Sequence, residues 1–458
     1  MQDSSATSGA LSLFSPIGYQ TGDCGYCKGE DTSQRTPKSR ASYYGRSKSL
    51  SPEHYQQLMD RGWRRSGSLL YLPDASRSCC PHYTIRIPVA EFKPSRDQRQ
   101  ALNRWNRYVL GEDYPRKLLA KHPKSKEAKK LSRSTFDLTT AVHESELSYV
   151  KPDIAPSHRL EVTLEDDTFT DEKYALFQDY QQHVHHEGPD EITKAGFRRF
   201  LCESPLHRQT TESGMKLGSY HQCYRLDGRL VAMGVLDLVP HGISGVYFIY
   251  HRDFERWSFG KLSALREATL ALEGGHQNYY MGYYIHGCAK MRYKGDYKFQ
   301  YVLDFDSLEW SVLDDNMRSL MDRRKYVSMS KERQKQLETE AIETKPNAAQ
   351  AENTVQYDLQ YYDQINYPTP LDAVASGMSL LSLGMPSVTP VTELLEKVDI
   401  DTIRIHFGHD RVHFAQDLIT WDTGSIFDAQ TPKGIFAEYS ACVGPQLANE
   451  LIVDLSRP

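Results

Sequence analysis

The sequence predicts an α/β fold, with a sheet-and-helix core over residues 136–330, a small cysteine-rich metal-binding N-terminal module and a C-terminal mixed α/β extension. Three observations predict it. SYHQCYRLD and LVAMGVLDLVP flank Asp227-Gly228, a dipeptide suited to a tight hairpin, and SGVYFIYH follows as a third apolar strand. KLSALREATLALEGG then places Leu262, Leu265, Ala268 or Thr269, and Leu272 at helical spacing before Gly274-Gly275, and QNYYMGYYI resumes a strand pattern. Cysteines come in two close pairs, Cys24 with Cys27 and Cys79 with Cys80, about 50 residues apart.

Taken in order, residues 1–20 read as a flexible N-terminus, rich in Ser, Gly and Thr without periodicity, and 31–49 as a second flexible stretch. SPEHYQQLMDRGW carries an N-cap Ser51, Pro52 at the first helical position and a stop at Gly62, so it predicts a short helix. YTIRIPVAEF alternates like a strand, and SRDQRQALNRWNRYVLG predicts a capped basic helix with Leu102, Trp105 and Val109 on one face. Residues 111–133 read as a linker. Helices are predicted over 171–187, with Tyr174, Phe177 and Val184 inward, and over ITKAGFRRFLCES. Two helices, an antiparallel hairpin, a strand, a helix and a further strand follow the order of the GCN5-related acyltransferase (GNAT) fold. Residues 331–356 read as a charged helix and linker, and 357–458 as an extension of uncertain role, which makes 21–135 the cysteine-rich basic module.

The net charge of −5 conceals an asymmetry: residues 1–133 carry 24 basic and 12 acidic side chains, and 134–458 carry 31 and 48. The basic excess concentrates over 86–133 and includes Arg86, Lys93, Arg96, Arg99, Arg104 and Arg107, a footprint that suits a polyphosphate backbone. Mean hydropathy of −0.60 and the lack of about 18 uninterrupted apolar residues exclude a membrane-spanning reading, and the opening residues lack a secretory pattern. Eight cysteines in 458 residues are too sparse for a disulfide scaffold, so the expected setting is reducing and cytoplasmic, with the nucleus as a second compartment. Cys24, Cys27 and Cys80 are then candidate ligands of zinc or an iron-sulfur cluster, with Cys79 or His82 as the fourth, because adjacent cysteines start out in different directions.

The segments CGYCKG, CCPHYTIRI, FKPSRDQRQ, FRRFLCESPL, SYHQCYRLDGRLVAMGVLDLVP, SGVYFIY, LSALREATLA and YYMGYYIHGCAKMRYKGDY, in order over residues 22–297, together resemble the eukaryotic, fungal-like arginyl-tRNA-protein transferases. The resemblance departs after KMRYKG, where DYKFQYVLDFDSLEW replaces the usual segment, and it is loose in the last hundred residues or so. It implies transfer of arginine from arginyl-tRNA to proteins with N-terminal Asp or Glu, marking them for degradation by the N-degron route, with a ubiquitin ligase as a downstream partner. It also implies a role for Asp237 as proton acceptor or cation anchor in catalysis. The acceptor's acidic side chain would meet Lys290, Arg292 and Lys294, with Tyr293 between them, and His221 flanked by Tyr220 and Gln222. If KMRYKG continues the strand, its three cations share one face. Only Arg256 and Gly260 match the pyrophosphate-binding loop of ordinary GNAT enzymes, which argues against coenzyme A and leaves that helix N-terminus for the acceptor end of tRNA. The alternatives are a coenzyme A dependent N-acetyltransferase and a zinc-stabilised RNA-binding adaptor.

Overall fold

The computed structural model describes residues 11–27, 36–123, 125–126, 136–343, 369–408 and 411–456. The chain opens with strands β1 (Leu13–Gly22), β2 (Arg40–Arg46), β3 (Arg64–Ser66) and β4 (Leu69–Pro73). Its middle holds β5 (Tyr83–Pro88), β6 (Leu160–Asp166), β7 (Gln209–Thr210), β8 (Lys216–Leu226), β9 (Arg229–Val239), β10 (Gly242–Tyr250), β11 (Asn278–Tyr284), β12 (Tyr301–Leu303) and β13 (Trp310–Val312). It closes with β14 (Arg404–His406), β15 (Val412–Phe414) and β16 (Ile452–Asp454).

Two sheets result. The larger has the order β13-β12-β5-β11-β10-β9-β8-β6, with β7 on β8. Asp227 and Gly228 both take positive φ, 52° and 83°, which is the turn that the Asp-Gly pair predicts between β8 and β9. The helix Phe259–Glu273 crosses from β10 to β11, and these two strands run parallel. It buries Leu262, Leu265, Ala268 and Thr269 against the sheet, whereas Leu272 is exposed. The helix Arg96–Leu110 has the predicted Ser95 cap, closed reciprocally by Gln98, and buries Leu102, Trp105 and Val109. The second face of the sheet is covered by helices Asp171–Tyr180 and Lys194–Phe197, each running into a wider π-helical turn.

The smaller sheet, β15-β14-β16-β1-β2-β4-β3, joins the two ends of the chain. β1 pairs in parallel with β16, Leu13 beside Ile452 and Phe14 beside Val453. Phe14, Tyr43 and Trp63 share one core with Phe436, Tyr439 and Leu447, and the Trp63 indole donates to the Cys442 carbonyl at 3.1 Å. Each such side chain contributes about 1.5–3 kcal/mol on burial, and the helices Pro432–Val443 and Pro445–Glu450 share the N-terminal sheet's own core.

Five expectations are corrected. The second flexible stretch, 31–49, holds β2 at Arg40–Arg46, while residues 31–35 lie outside the described residues. Residues 13–20 belong to β1, not to a flexible end; residues 1–10 lie outside the described residues. β5 and the Arg96–Leu110 helix belong to the larger sheet rather than to the cysteine-rich module, because β5 pairs with β11 and β12. The linker at 111–133 contains a helix, Tyr114–Lys121, anchored by the buried Tyr114. KMRYKG is no strand: after Cys288 the chain winds into helical turns at Ala289–Arg292 and Tyr293–Asp296. The charged helix is present at Met329–Glu343, and the linker read after it lies outside the described residues.

Candidate functional site

The turn after β1 delivers Cys24 and Cys27, and the connection between β4 and β5 delivers Cys79 and Cys80. The four Sγ atoms all lie within 4.8 Å of one another, with Cys27 and Cys79 at 3.3 Å. The backbone fixes this convergence. Cys24 N–H donates to the Thr36 carbonyl at 3.1 Å, and Cys79 N–H donates to the Ser39 carbonyl at 2.8 Å. Four thiols converging without disulfide bonds are a donor set that could hold a metal ion. The bend at 78–80 aims both adjacent cysteines inward, so Cys79 completes the set. His82 falls outside it. Its buried ring lies edge-on between Tyr26 and Tyr283, each 5.2 Å away, which ties the cysteine loop to β11.

The larger sheet opens beside this centre. β10 and β11 pair only from Gly242–Asn278 to Ser244–Tyr280. Beyond that, β10 shifts register between Gly245 and Tyr247, and β11 between Tyr280 and Tyr283, so the two strands part. Gly245, Val246, Tyr247, Phe248 and Gly282 are partly exposed there, in contrast to their buried neighbours. Lys294 reaches into the gap and donates to the carbonyls of Met281 (2.8 Å) and Tyr283 (3.2 Å), two acceptors that the missing ladder leaves free. Burial lowers its pKa to about 8.

Glu267 rises from the Phe259–Glu273 helix to the floor of the gap. It is 3% exposed and accepts from the Tyr279 hydroxyl at 2.5 Å. Burial pushes its pKa up to about 7, and the Tyr279 hydrogen bond and the Lys294 charge only partly offset this. Glycines make room for it: a Cβ at Gly245 would lie 3.0 Å from Oε2, and one at Gly234 3.5 Å from Oε1. Sequence reasoning passed over Glu267 as one more position of an amphipathic helix. A carboxylate on the apolar face of ALREATL was the available signal.

Successive residues of β10 face opposite ways, so the two sides of the gap are lined differently. Phe248 packs on Phe259, on the side of the Phe259–Glu273 and Arg96–Leu110 helices. Tyr247 packs on Phe200 and Tyr180 and lies within electrostatic reach of Tyr26. On the first side Lys93, Arg96, Arg104 and Arg107 are exposed, as is Arg256, whose guanidinium lies 4.9 Å from the centre of the Trp257 ring. Arg99 is half-buried over Phe136. The helix opens at Ser258 without a side-chain cap, and the Tyr293 hydroxyl stands 3.8 Å from where a Gly260 Cβ would lie.

Several predicted site residues are elsewhere. Asp237 is fully buried, its oxygens bonded to Arg65 Nε (2.7 Å), Arg65 Nη2 (2.6 Å) and Ser219 Oγ (2.6 Å), so its carboxylate is committed to a buried ion pair. His221 is fully buried, 2.9 Å from the Leu201 carbonyl, and burial lowers its pKa to about 4; it is no cation for an acceptor carboxylate. Tyr220 and Gln222 are buried on the opposite face of β8, and Gln222 accepts from the Tyr224 hydroxyl. Because KMRYKG is helical, its cations diverge: Lys290 and Arg292 are exposed, Arg292 donates to the His286 carbonyl, and Lys294 alone enters the gap. Arg86, half-buried in β5, is stacked 3.9 Å from the centre of the Trp310 ring and does not join the exposed basic surface.

Comparison with known proteins matches two family models in order along the chain. "Arginine-tRNA-protein transferase, N terminus" covers residues 22–100 and includes all four cysteines; "Arginine-tRNA-protein transferase, C terminus" covers 172–304 and includes Glu267, Tyr279 and Lys294. Arginyl-tRNA–protein transferase 1 of Saccharomyces cerevisiae is 32% identical over 262 residues, 53% of this chain and 47% of the yeast protein. The Drosophila melanogaster protein of that name is 28% identical over 428 residues, 70% of this chain and 87% of its own. An aspartate/glutamate leucyltransferase of Pseudomonas fluorescens is 29% identical over 245 residues, 53% of this chain and 77% of its own. The chain thus spans about half the length of the yeast relative and most of the fly one. The cysteine centre lies inside the first model and the gap inside the second, so the chain is similar to the arginyl-tRNA–protein transferases across both parts of its candidate site.

Proposed function

We propose that this protein transfers arginine from arginyl-tRNA to the α-amine of proteins that begin with Asp or Glu, marking them for the N-degron route. The observation that carries the reading is the gap between β10 and β11, floored by Glu267 and opening to a basic surface on one side and the cysteine centre on the other. An antiparallel β8–β9–β10 unit followed by a helix and a parallel β11 supports a GNAT-like core. In that reading the gap receives the aminoacyl ester rather than a coenzyme A thioester.

The reaction needs positioning and one proton acceptor. The α-ammonium gives its proton to the Glu267 carboxylate, the neutral amine attacks the ester carbonyl carbon, the carbon–oxygen bond to the ribose breaks, and the ribose oxygen takes up a proton. A carboxyl with pKa about 7 suits this exchange, because it is largely ionised just above neutrality yet still binds a proton well. Tyr279, Lys294, Tyr224, Tyr293 and Tyr297 are the titratable groups around it. The transfer rate should therefore rise with pH through about 7, as the base form fills. Glu267→Gln should abolish that limb and slow single-turnover transfer by about 100-fold. Single-turnover rates across pH check this; a variant that keeps the limb contradicts it.

Lys93, Arg96, Arg104, Arg107 and Arg256 would meet tRNA phosphates, with Arg99 and Gly260 beside them. Arg104→Glu combined with Arg107→Glu should weaken tRNA binding and flatten the slope of log affinity against log salt by about 1 for each lost phosphate contact. An unchanged slope would remove these residues from the tRNA surface.

The four sulfur ligands suit tetrahedral zinc or an iron-sulfur cluster, whose contribution when bound is to hold the loop of Cys24 and Cys27 against the segment of Cys79 and Cys80. The proposed setting is the cytoplasm and nucleus, with a ubiquitin ligase reading the products; among the described residues, no helix is long and apolar enough to cross a membrane. The test of function is incubation with labelled arginyl-tRNA and, separately, labelled acetyl-coenzyme A, with a peptide beginning with Asp as acceptor. Arginine incorporation supports the reading. Acetyl incorporation, or tRNA binding without transfer, favours an acetyltransferase or an RNA-binding adaptor.

A further inference from the structure

Arg40 begins β2 directly after Ser39, whose hydroxyl accepts from the Cys79 thiol at 3.3 Å and whose carbonyl accepts from Cys79 N–H. It is half-buried. Its Nη2 donates to the Tyr44 hydroxyl at 3.3 Å and its Nε has no partner. The groups that weigh on its charge are the hydroxyls of Tyr44, Tyr71 and Tyr26 rather than carboxylates. Behind these rings stands a second guanidinium. Arg64 is 5% exposed, lies 5.6 Å from the Tyr283 ring centre and 5.9 Å from that of Tyr280, and leaves Nε and Nη2 without partners. The Lys294 ammonium is close enough to Arg64 to feel its charge. Arg64 Nη1 donates to the carbonyls of Trp63 (2.7 Å) and Met59 (3.3 Å), and among the described residues no carboxylate pairs with either guanidinium, which leaves a cationic patch suited to an anionic ligand.

The patch faces the gap. Tyr26 stands within electrostatic reach of Tyr247 on β10, and Tyr71 packs 6.3 Å from Tyr283 on β11, so the neighbours of Arg40 border both parting strands. This is the side opposite the exposed basic helix Arg96–Leu110. We propose that Arg40, backed by the field of Arg64, binds the side-chain carboxylate of the acceptor's first residue and so sets the preference for acidic N-termini. This rests on reading the gap as an arginyl-transfer centre. A planar guanidinium can engage both carboxylate oxygens, whereas a neutral amide at the same place offers one acceptor and no charge. The tRNA phosphates would be met across the sheet, on the side of Lys93, Arg104 and Arg107.

The test is competition between two peptides that begin with Asp and Asn and are otherwise identical, with charged tRNA as donor. In the native protein the ratio of kcat/KM values should favour Asp. Arg40→Gln should lower that ratio by about tenfold or more, and Arg40→Lys, which keeps the charge but not the fork, should lower it less. Affinity for arginyl-tRNA should not change in either variant. Both peptides compete for the same enzyme molecules, so a loss of folded protein cancels from the ratio. A native-like ratio in Arg40→Gln, or a fall in tRNA affinity in place of a fall in the ratio, overturns the proposal. Failure of the native protein to arginylate either peptide would overturn the reading of the gap itself, and this inference with it.

Discussion

Asp237→Ala is expected to cost about 3–5 kcal/mol of folding stability, because it strands the Arg65 guanidinium in a dry interior. The side chains of the pair are 2% and 0% exposed, and the contact is bidentate, so neither charge has water to fall back on. The pair also spans the two sheets. Arg65 lies on β3 of the smaller sheet and Asp237 on β9 of the larger, with Ser219 of β8 bonded to both. Asp237→Asn keeps the size and one acceptor but loses the charge, so its cost should be smaller. Replacing both members with leucine should recover much of the loss, since burying no charge avoids the desolvation cost. Urea unfolding of the three variants checks this order, and a native midpoint for Asp237→Ala would contradict it.

If the cysteine centre holds a metal, Cys24→Ala should abolish that binding almost entirely and loosen the cysteine loop before the rest of the fold. Cys24 is fully buried and supplies one of four convergent sulfurs, so its loss removes a ligand that no described neighbour replaces. Metal binding and local order are coupled, because the site holds together two segments more than 50 residues apart. His82→Ala should keep the metal, as should Cys442→Ala, whose thiol is buried in the helix Pro432–Val443. Metal content per protein chain, with hydrogen exchange at residues 22–46, checks all three. Full occupancy in Cys24→Ala, or loss in His82→Ala, would contradict the ligand set.

Local chemistry made much of this architecture legible. The Ser95 cap, the Asp227-Gly228 turn and the Gly274-Gly275 stop all act over a few residues, and each appears where the sequence implies. The cysteine set was legible from residue type, since two close pairs of thiols suit one metal even when far apart in sequence; the choice between Cys79 and His82 depends on a backbone bend. What sequence did not carry is pairing over long separations. Nothing near Leu13 signals that Ile452 will lie beside it, and nothing near Asp237 signals Arg65. Residue types that are right for a site, such as Asp237 and His221, were therefore placed in it, while the fold had spent them on its interior. Lys294 enters the gap through a helical turn, not through the strand alternation that its sequence pattern implies. Glu267 and Arg40 emerge only when the parting of β10 and β11 is seen, because each is defined by what it faces across the chain.

Whether an amine at the gap takes arginine from tRNA is read in the intact mass of a peptide beginning with Asp after incubation with this protein and arginyl-tRNA. The expected result is a gain of one arginine residue at the N-terminus, and no gain when the α-amine is acetylated beforehand. An unchanged mass with the free amine, or arginine added to the blocked peptide, would contradict it.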